Sequence, residues 1–279
     1  MNFDLIGEFY KEMSIVDLNV FGILDNSSNI LTLGTDSKII GRIFEMITEP
    51  ILKKIARNHN YTLSTPNGQN IYPDFIMIDK ISGNRIAIDV KTTYRSYGIS
   101  GNLKNICFTL GSYASYMRDN KKNIDGLYTD YSKHFVIGFI YDRNGKAQQS
   151  DKYPYEERFK IETPYKNVEY FIQEKYKIAG EKPGSGNTEN IGSIKSNNFL
   201  DFYCGNGPFN TLGDNIFNLY WSYYPKYRAQ NKDYTNLNEF IRWYRNQNND
   251  LPVLYDKNKK YLYNEIITIL NEYEKNNKI

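Results

Sequence analysis

PDFIMIDKISGNRIAIDVK, residues 73–91, sets two aspartates and a lysine inside what otherwise reads as β-structure. The runs IYPDFIMID and NRIAIDVKTTY are rich in apolar and β-branched residues, and the KISGN between them carries a Ser-Gly-Asn cluster that fits a turn. This pattern predicts a hairpin. Residues i and i+2 of a strand point to the same face. Asp89 and Lys91 therefore share one face, and Ile88 and Val90 the other. If the strand that follows Asp74 pairs with this one, Asp74 converges on the same spot.

Buried strands rarely carry charge unless it is paired or binds a metal. Two carboxylates and an ammonium at one end of a sheet suit phosphodiester hydrolysis. The carboxylates can hold Mg2+, which polarises a phosphate and acidifies water, and the lysine can steady charge on the phosphate oxygens. The plainer alternative is an exposed aspartate at a strand start plus an Asp–Lys surface pair, worth under about 1 kcal/mol. Ala87, Ile88 and Val90 surround Asp89 with apolar residues, which favours the chemical reading, and Thr92 and Thr93 add hydroxyls that could hold phosphate oxygens.

Upstream, DSKIIGRIFEMITEPILKKIARNHN predicts a helix with Asp36 as N-cap, an apolar stripe of Ile39, Ile43, Phe44, Ile47, Ile51 and Ile55, and a kink at Pro50. Glu45 lies beside the stripe, either as a solvated helix charge or as a carboxylate aimed at a site. Downstream, KHFVIGFIYDR reads as a central strand and VEYFIQEKYKIA as another. Strands alternating with helices predict an α/β fold with a central mixed sheet flanked by helices. From about residue 215 the pattern turns helical in IFNLYWSYYPKYRAQ, LNEFIRWYRNQ and YLYNEIITILNEYEK, with NQNNDLPVLYDKNKK as a linker before the last helix.

The second constellation is AGEKPGSGNTENIGSI, residues 179–194. A phosphate-binding P-loop ends in Gly-Lys-Ser/Thr, but here Gly186 is followed by Asn187 and Thr188. The dinucleotide glycine pattern fits poorly as well. Two readings stay open: a surface loop, and a DNA-reading loop in which Asn bonds adenine and Gly lets the backbone approach base edges.

The 279 residues allow a substantial core, and 40% hydrophobic with 24% charged residues describes an ordinary globular chain. No run of about 18 apolar residues is present, so no membrane span is expected. The N-terminus does not read as a signal peptide. Two cysteines, Cys107 and Cys204, and two histidines, His59 and His134, give neither a disulfide framework nor a zinc site. A cytoplasmic setting fits, and any metal should be a hard one held by carboxylates. A net charge of +3 is too mild for a general polyanion binder, so nucleic-acid contact must come from local clusters and dimer geometry.

Taken together, SKIIGRIFE, NIYPDF, AIDVKTTY, FTLGSYASYMRDNKKNI and AGEKPGSGNTENIGSI occur in an order and spacing that resembles the EcoRV-like type II restriction endonucleases of the PD-(D/E)xK nuclease superfamily. The resemblance runs from about residue 15 to about residue 245. It implies an endonuclease domain over residues 1–245, with dimerisation and DNA-binding/catalytic subdomains interleaved. Residues 246–279 would then be a helical extension of unknown role. It further implies a homodimer that clamps double-stranded DNA and cuts both strands with Mg2+, leaving 5′-phosphates and blunt ends within GATATC. A protective DNA methyltransferase would accompany it in the cell.

By matching motifs, Asp74, Asp89 and Glu45 would be the metal-binding carboxylates and Lys91 the catalytic lysine. Gly184, Gly186, Asn187, Thr188 and Asn190 would form the major-groove loop, and Gln69 and Asn70 the minor-groove loop. Thr93, Ser115 and Lys122 would lie near the DNA backbone. Lys226, Arg228, Arg242 and Arg245 are further candidates for phosphate contacts. Two departures stand out. Gly68 replaces a glutamine of the minor-groove loop, and Glu189 replaces a threonine of the recognition loop. An acid beside DNA costs affinity unless it points away or finds a cation. A repair or junction nuclease of the same superfamily and a non-cleaving DNA-binding protein are the rival readings. A nucleotide-binding protein using GSGNT is a fourth.

Overall fold

The computed structural model describes residues 3–68, 70–184, 189–247 and 259–277. Along the chain the strands are β1 (Gly22–Leu24), β2 (Asn29–Leu33), β3 (Tyr61–Ser64), β4 (Phe75–Asp79), β5 (Arg85–Tyr94), β6 (Thr109–Ser112), β7 (Tyr131–Arg143), β8 (Gln149–Pro154), β9 (Tyr165–Glu174), β10 (Ala179–Pro183) and β11 (Asn190–Ser193). The α-helices are α1 (Leu5–Met13), α2 (Ser37–Asn58), α3 (Lys175–Ile178), α4 (Phe199–Cys204), α5 (Phe209–Leu212), α6 (Asp214–Tyr223), α7 (Leu237–Arg245) and α8 (Lys259–Asn277).

The centre is a five-stranded mixed sheet of order β3-β4-β5-β7-β9. The hairpin forms as its pattern predicts: β4 and β5 pair antiparallel with Phe75 opposite Ile88, and the turn closes through an Asp79 N–H to Asn84 carbonyl bond of 3.0 Å. Strand β5 then runs parallel to β7. A parallel pair needs a long crossover. Here it contains β6 and a π-helical segment, Tyr113–Arg118. Strand β7 is paired on both sides, so its near-continuous apolar run is that of an interior strand. The predicted strand VEYFIQEKYKIA ends at Glu174, where the chain turns into α3.

The sheet is covered on both faces. Leu5 and Phe9 of α1 and Ile40, Phe44, Leu52 and Ile55 of α2 pack on Ile86, Ile88 and Val90 of β5. Ala87 of β5, Val136 and Ile140 of β7 and Phe171 of β9 face the opposite core, filled by Phe202, Trp221, Phe240 and Leu270. Helix α2 starts where expected. The Asp36 carboxylate accepts the Lys38 and Ile39 N–H groups at 2.8 and 3.2 Å. Its buried face is turned slightly from the predicted stripe: Ile40 is fully buried and Ile39 is 41% exposed. The helix runs unbroken through Pro50.

Two smaller three-stranded sheets flank this body, β1-β2-β8 and β10-β11-β6. The three C-terminal helices fall where the pattern turned helical, and α8 is not a detached tail. Ile266 and Leu270 are buried in the core under α5–α7, and Arg245 meets Glu274 at 2.5 and 3.1 Å. Arg245, a candidate for phosphate contact, is thus engaged by α8. Residues 248–258, most of the expected linker, lie outside the described residues. Among the described residues no helix is long and apolar enough to cross a membrane, and Cys107 and Cys204 are both free thiols.

Candidate active site and nucleic-acid interface

The hairpin register brings Asp74, Asp89 and Lys91 together. Asp74 immediately precedes β4, opposite the middle of β5, and its Oδ2 accepts the Val90 backbone N–H at 2.7 Å. Asp89 lies in an apolar strand with 4% exposure, facing the α5–α8 side of the sheet. Lys91 Nζ is 2.6 Å from Asp89 Oδ2. At that distance the ammonium donates to the carboxylate, so the buried Asp89 Oδ2 is met by one cationic partner.

The electrostatics follow from crowding charge in a dry place. Burial, and then the charge of Asp89, push Asp74 up to about 8, against the opposing pull of Lys91 and the Val90 N–H. Burial alone would lower Lys91, but Asp89 and Asp74 outweigh it and hold the ammonium above its ordinary value. Two carboxylates this close share a proton unless a cation joins them.

These residues fit a hard divalent cation. The donors are all oxygen, they lie in a nearly dry place, and the pair carries more negative charge than the site holds comfortably. Among the described residues no group of three or more His, Cys, Asp or Glu stands ready to hold a metal. The donor set therefore matches a cation that keeps waters and takes phosphate oxygens as its remaining ligands, as Mg2+ does.

Glu45 faces the same opening without joining the pair. It lines a cavity of about 540 Å³ with Glu49, Pro73 and Asp74, and its Oε2 lies 2.6 Å from Arg42 Nη1. Arg42 and Glu49 were missed in the sequence, although both lie one helical turn from Glu45. Thr93 shares the face of Asp89 and Lys91. Thr92 points the other way, toward Gly41 of α2, where a Cβ would come within 3.4 Å of its Oγ1, so only one of the two hydroxyls adjoins the site.

Behind the carboxylates lies a group no sequence signal marked. Lys175 is 1% exposed, its Nζ has no hydrogen-bond partner, and it sits 4.8, 5.8 and 5.2 Å from the ring centres of Tyr72, Tyr116 and Tyr128. The Tyr72 hydroxyl bonds His134 Nδ1 at 2.7 Å, which fixes the residue just before Pro73 and Asp74. Nothing in a single sequence announces a lysine inside a box of tyrosines from three separate segments.

The glycine-rich stretch connects β10 to β11 as a hairpin, with no helix after it. A P-loop requires a strand-to-helix turn, so the geometry removes the nucleotide reading. Gly184 donates its N–H to the Asn190 carbonyl at 2.9 Å across the base of the hairpin. Gly186, Asn187 and Thr188, like Gln69 of the other loop, lie outside the described residues. Asn70 is exposed between Gly68 and Ile71, which both line the Asp74 cavity. Ser115, Lys122 and Asn190 line a second cavity of about 720 Å³, together with Arg118, Lys226 and Arg228. The basic residues the sequence scatters over a hundred positions therefore gather on one surface beside the loop.

The mixed sheet, its flanking helices and the paired carboxylates at its heart form a restriction-endonuclease-like fold. A family model for restriction endonuclease EcoRV matches residues 14–245. Over 243 residues the chain is 40% identical to the type II restriction enzyme EcoRV of Escherichia coli, covering 86% of this chain and 96% of that enzyme. The chain belongs to the EcoRV restriction endonuclease family, and is a type II, site-specific deoxyribonuclease.

Proposed function

We propose that the protein cleaves both strands of duplex DNA within GATATC, bluntly at the centre, leaving 5′-phosphates and depending on Mg2+. The observation that carries this reading is the convergence of Asp74, Asp89 and Lys91 on one buried spot of the sheet. In it, Asp74 and Asp89 hold the cation and Glu45 serves as an auxiliary acid reached through the shared cavity. When bound, the cation neutralises phosphate charge and makes a nearby water easier to deprotonate.

Lys91 is held by Asp89 so that its ammonium meets charge building on the phosphate oxygens, and being charged beforehand it needs no rearrangement. Thr93 donates to the DNA backbone, as do Ser115 and Lys122 on the second surface, with Lys226 and Arg228 adding charge there. Gly184, Gly186, Asn187, Thr188 and Asn190 read the major groove, and Gln69 and Asn70 approach the minor groove. The central TA step of the target is easily deformed, which couples recognition to assembly of the site.

A homodimer completes the reading. Ile23 and Leu24 of β1, each 59% exposed, and Phe159 just after β8, 77% exposed, leave apolar surface around the β1-β2-β8 sheet that a second copy of the chain would cover in part. In this reading residues 1–245 are the endonuclease domain with its subdomains interleaved. The enzyme works in the cytoplasm beside a methyltransferase that protects the host's own sites.

The test is a digest of DNA of known sequence in Mg2+ or EDTA, with the ends sequenced. Blunt ends at GATATC in Mg2+ alone agree with the whole reading. Cuts at another fixed site keep the mechanism and overturn the assigned target.

A further inference from the structure

Glu189 is the acid that stands where the family resemblance has a threonine, at the C-terminal base of the proposed DNA-reading hairpin. Its carboxylate does not face outward alone. Oε1 accepts the Tyr227 backbone N–H at 3.0 Å and lies 3.9 Å from Arg118 Nη1. Its carbonyl accepts the Tyr113 N–H at 3.0 Å and the Ser112 hydroxyl at 3.2 Å. Arg118 in turn donates to the Tyr224 carbonyl, and the Tyr113 hydroxyl to the Pro225 carbonyl at 3.3 Å. One residue thus joins three segments: the hairpin, the π-helical segment and the stretch after α6. All three line the second cavity, whose cations are Arg118, Lys122, Lys226 and Arg228.

We propose that Glu189 is a specificity-determining positioning residue with two effects. It latches the recognition hairpin to the Lys226–Arg228 segment, so that base-reading and phosphate-contacting groups move as one unit. It also offsets the charge of Arg118, 3.9 Å away, which removes one cation from the sequence-independent attraction to phosphate. A protein that binds any duplex strongly discriminates poorly, because phosphate charge carries no sequence information. This proposal rests on the reading that the hairpin meets DNA.

The experiment measures equilibrium binding to a duplex lacking the target site, over a range of salt in Ca2+, for the wild type, Glu189→Gln, Arg118→Gln and the double variant. Each phosphate neutralised contributes about 0.9 to the slope of log K against log salt. In Glu189→Gln the charge of Arg118 is no longer offset and the slope steepens by about 1. Arg118→Gln alone leaves the slope at the wild-type value, and the double variant returns to it, which is the coupling a double-mutant cycle isolates.

Cleavage provides the second readout: the ratio of rates at the target and at a site with one wrong base pair falls severalfold in Glu189→Gln. In Glu189→Thr, which also loses the bond to Tyr227, the rate on the target falls as well. An unchanged slope in Glu189→Gln overturns the masking of Arg118, and so does a steeper slope that survives in the double variant. An unchanged rate ratio in both Glu189 variants overturns the role in specificity. A wild type that binds no duplex removes the functional reading and this proposal together, whereas a wild type that binds while its variants match it removes the proposal alone.

Discussion

Asp74 and Val90, sixteen residues apart, are tied by a 2.7 Å hydrogen bond from the Val90 N–H to Asp74 Oδ2. The bond spans the mouth of the hairpin and fixes one carboxylate against the strand that bears the other. It turns a loose motif into a site, because Asp74 now faces Asp89 at a distance where two negative charges conflict.

Divalent cation binding should release a proton. Metal-free Asp74, pushed up to about 8 by burial and by Asp89, holds its proton at pH 7, and a cation must displace it. Affinity therefore weakens as pH falls below about 8. Calorimetric titration with Ca2+ in two buffers of different ionisation heat should report about one proton released per site at pH 7. Heats that do not depend on the buffer would contradict the raised Asp74.

Removing Lys91 should destabilise the fold through Asp89. In Lys91→Met a carboxylate with 4% exposure loses its ion partner, and breaking one side of such a pair costs about 3 kcal/mol. Adding Asp89→Asn should recover most of the loss. Urea unfolding of the two single variants and the double checks this, and strictly additive losses would count against the pairing.

Lys175 should work against stability at neutral pH. Burial, opposed by Asp89 and reinforced by Lys91, lowers it from 10.5 to about 8. Below pH 8 the folded and unfolded chains both carry the charge, and the cost of burying it is present in full. Between 8 and 10.5 the folded chain has already released the proton that the unfolded chain keeps, so stability rises with pH. Lys175→Met should stabilise the protein at pH 7 by up to about 3 kcal/mol, less whatever the three tyrosine faces return, with the gain shrinking toward pH 10. Thermal melts across pH measure it. A large loss at pH 7 would mean that the tyrosine box more than compensates the ammonium.

The last helix should behave as part of the core. Leu270 is fully buried among the C-terminal aromatic residues, so Leu270→Ala should cost about 2–5 kcal/mol and lower the midpoint of a single cooperative transition. A negligible cost, or a separate early transition for the C-terminal segment, would make α8 an independent appendage.

The parts of this molecule legible in the sequence are those that rest on local period and chemistry. Asp36 caps α2, the 73–91 hairpin follows from alternation and its Ser-Gly-Asn turn, and β7 follows from an unbroken apolar run. Convergence of Asp74 on Asp89 was legible only as a condition, since it required the pairing partner. The slight rotation of α2, which buries Ile40 rather than Ile39, depends on a neighbour's shape. Short elements such as β1 and α5 carry too few residues to show a period. The Lys175 box and the Glu189 latch join segments up to about a hundred residues apart, and no window of sequence contains them.

Asp89 anchors both the cation and Lys91 in the proposed site, and the most direct measurement pairs binding with cutting. Wild type and Asp89→Ala would be compared on a duplex containing one GATATC, with binding measured in Ca2+ and single-turnover cleavage in Mg2+. Asp89→Ala is expected to bind the duplex still but to lose cleavage by several orders of magnitude, because the cation and Lys91 both lose their anchor. Cleavage by Asp89→Ala at near the wild-type rate would contradict it and move the catalytic centre elsewhere in the fold.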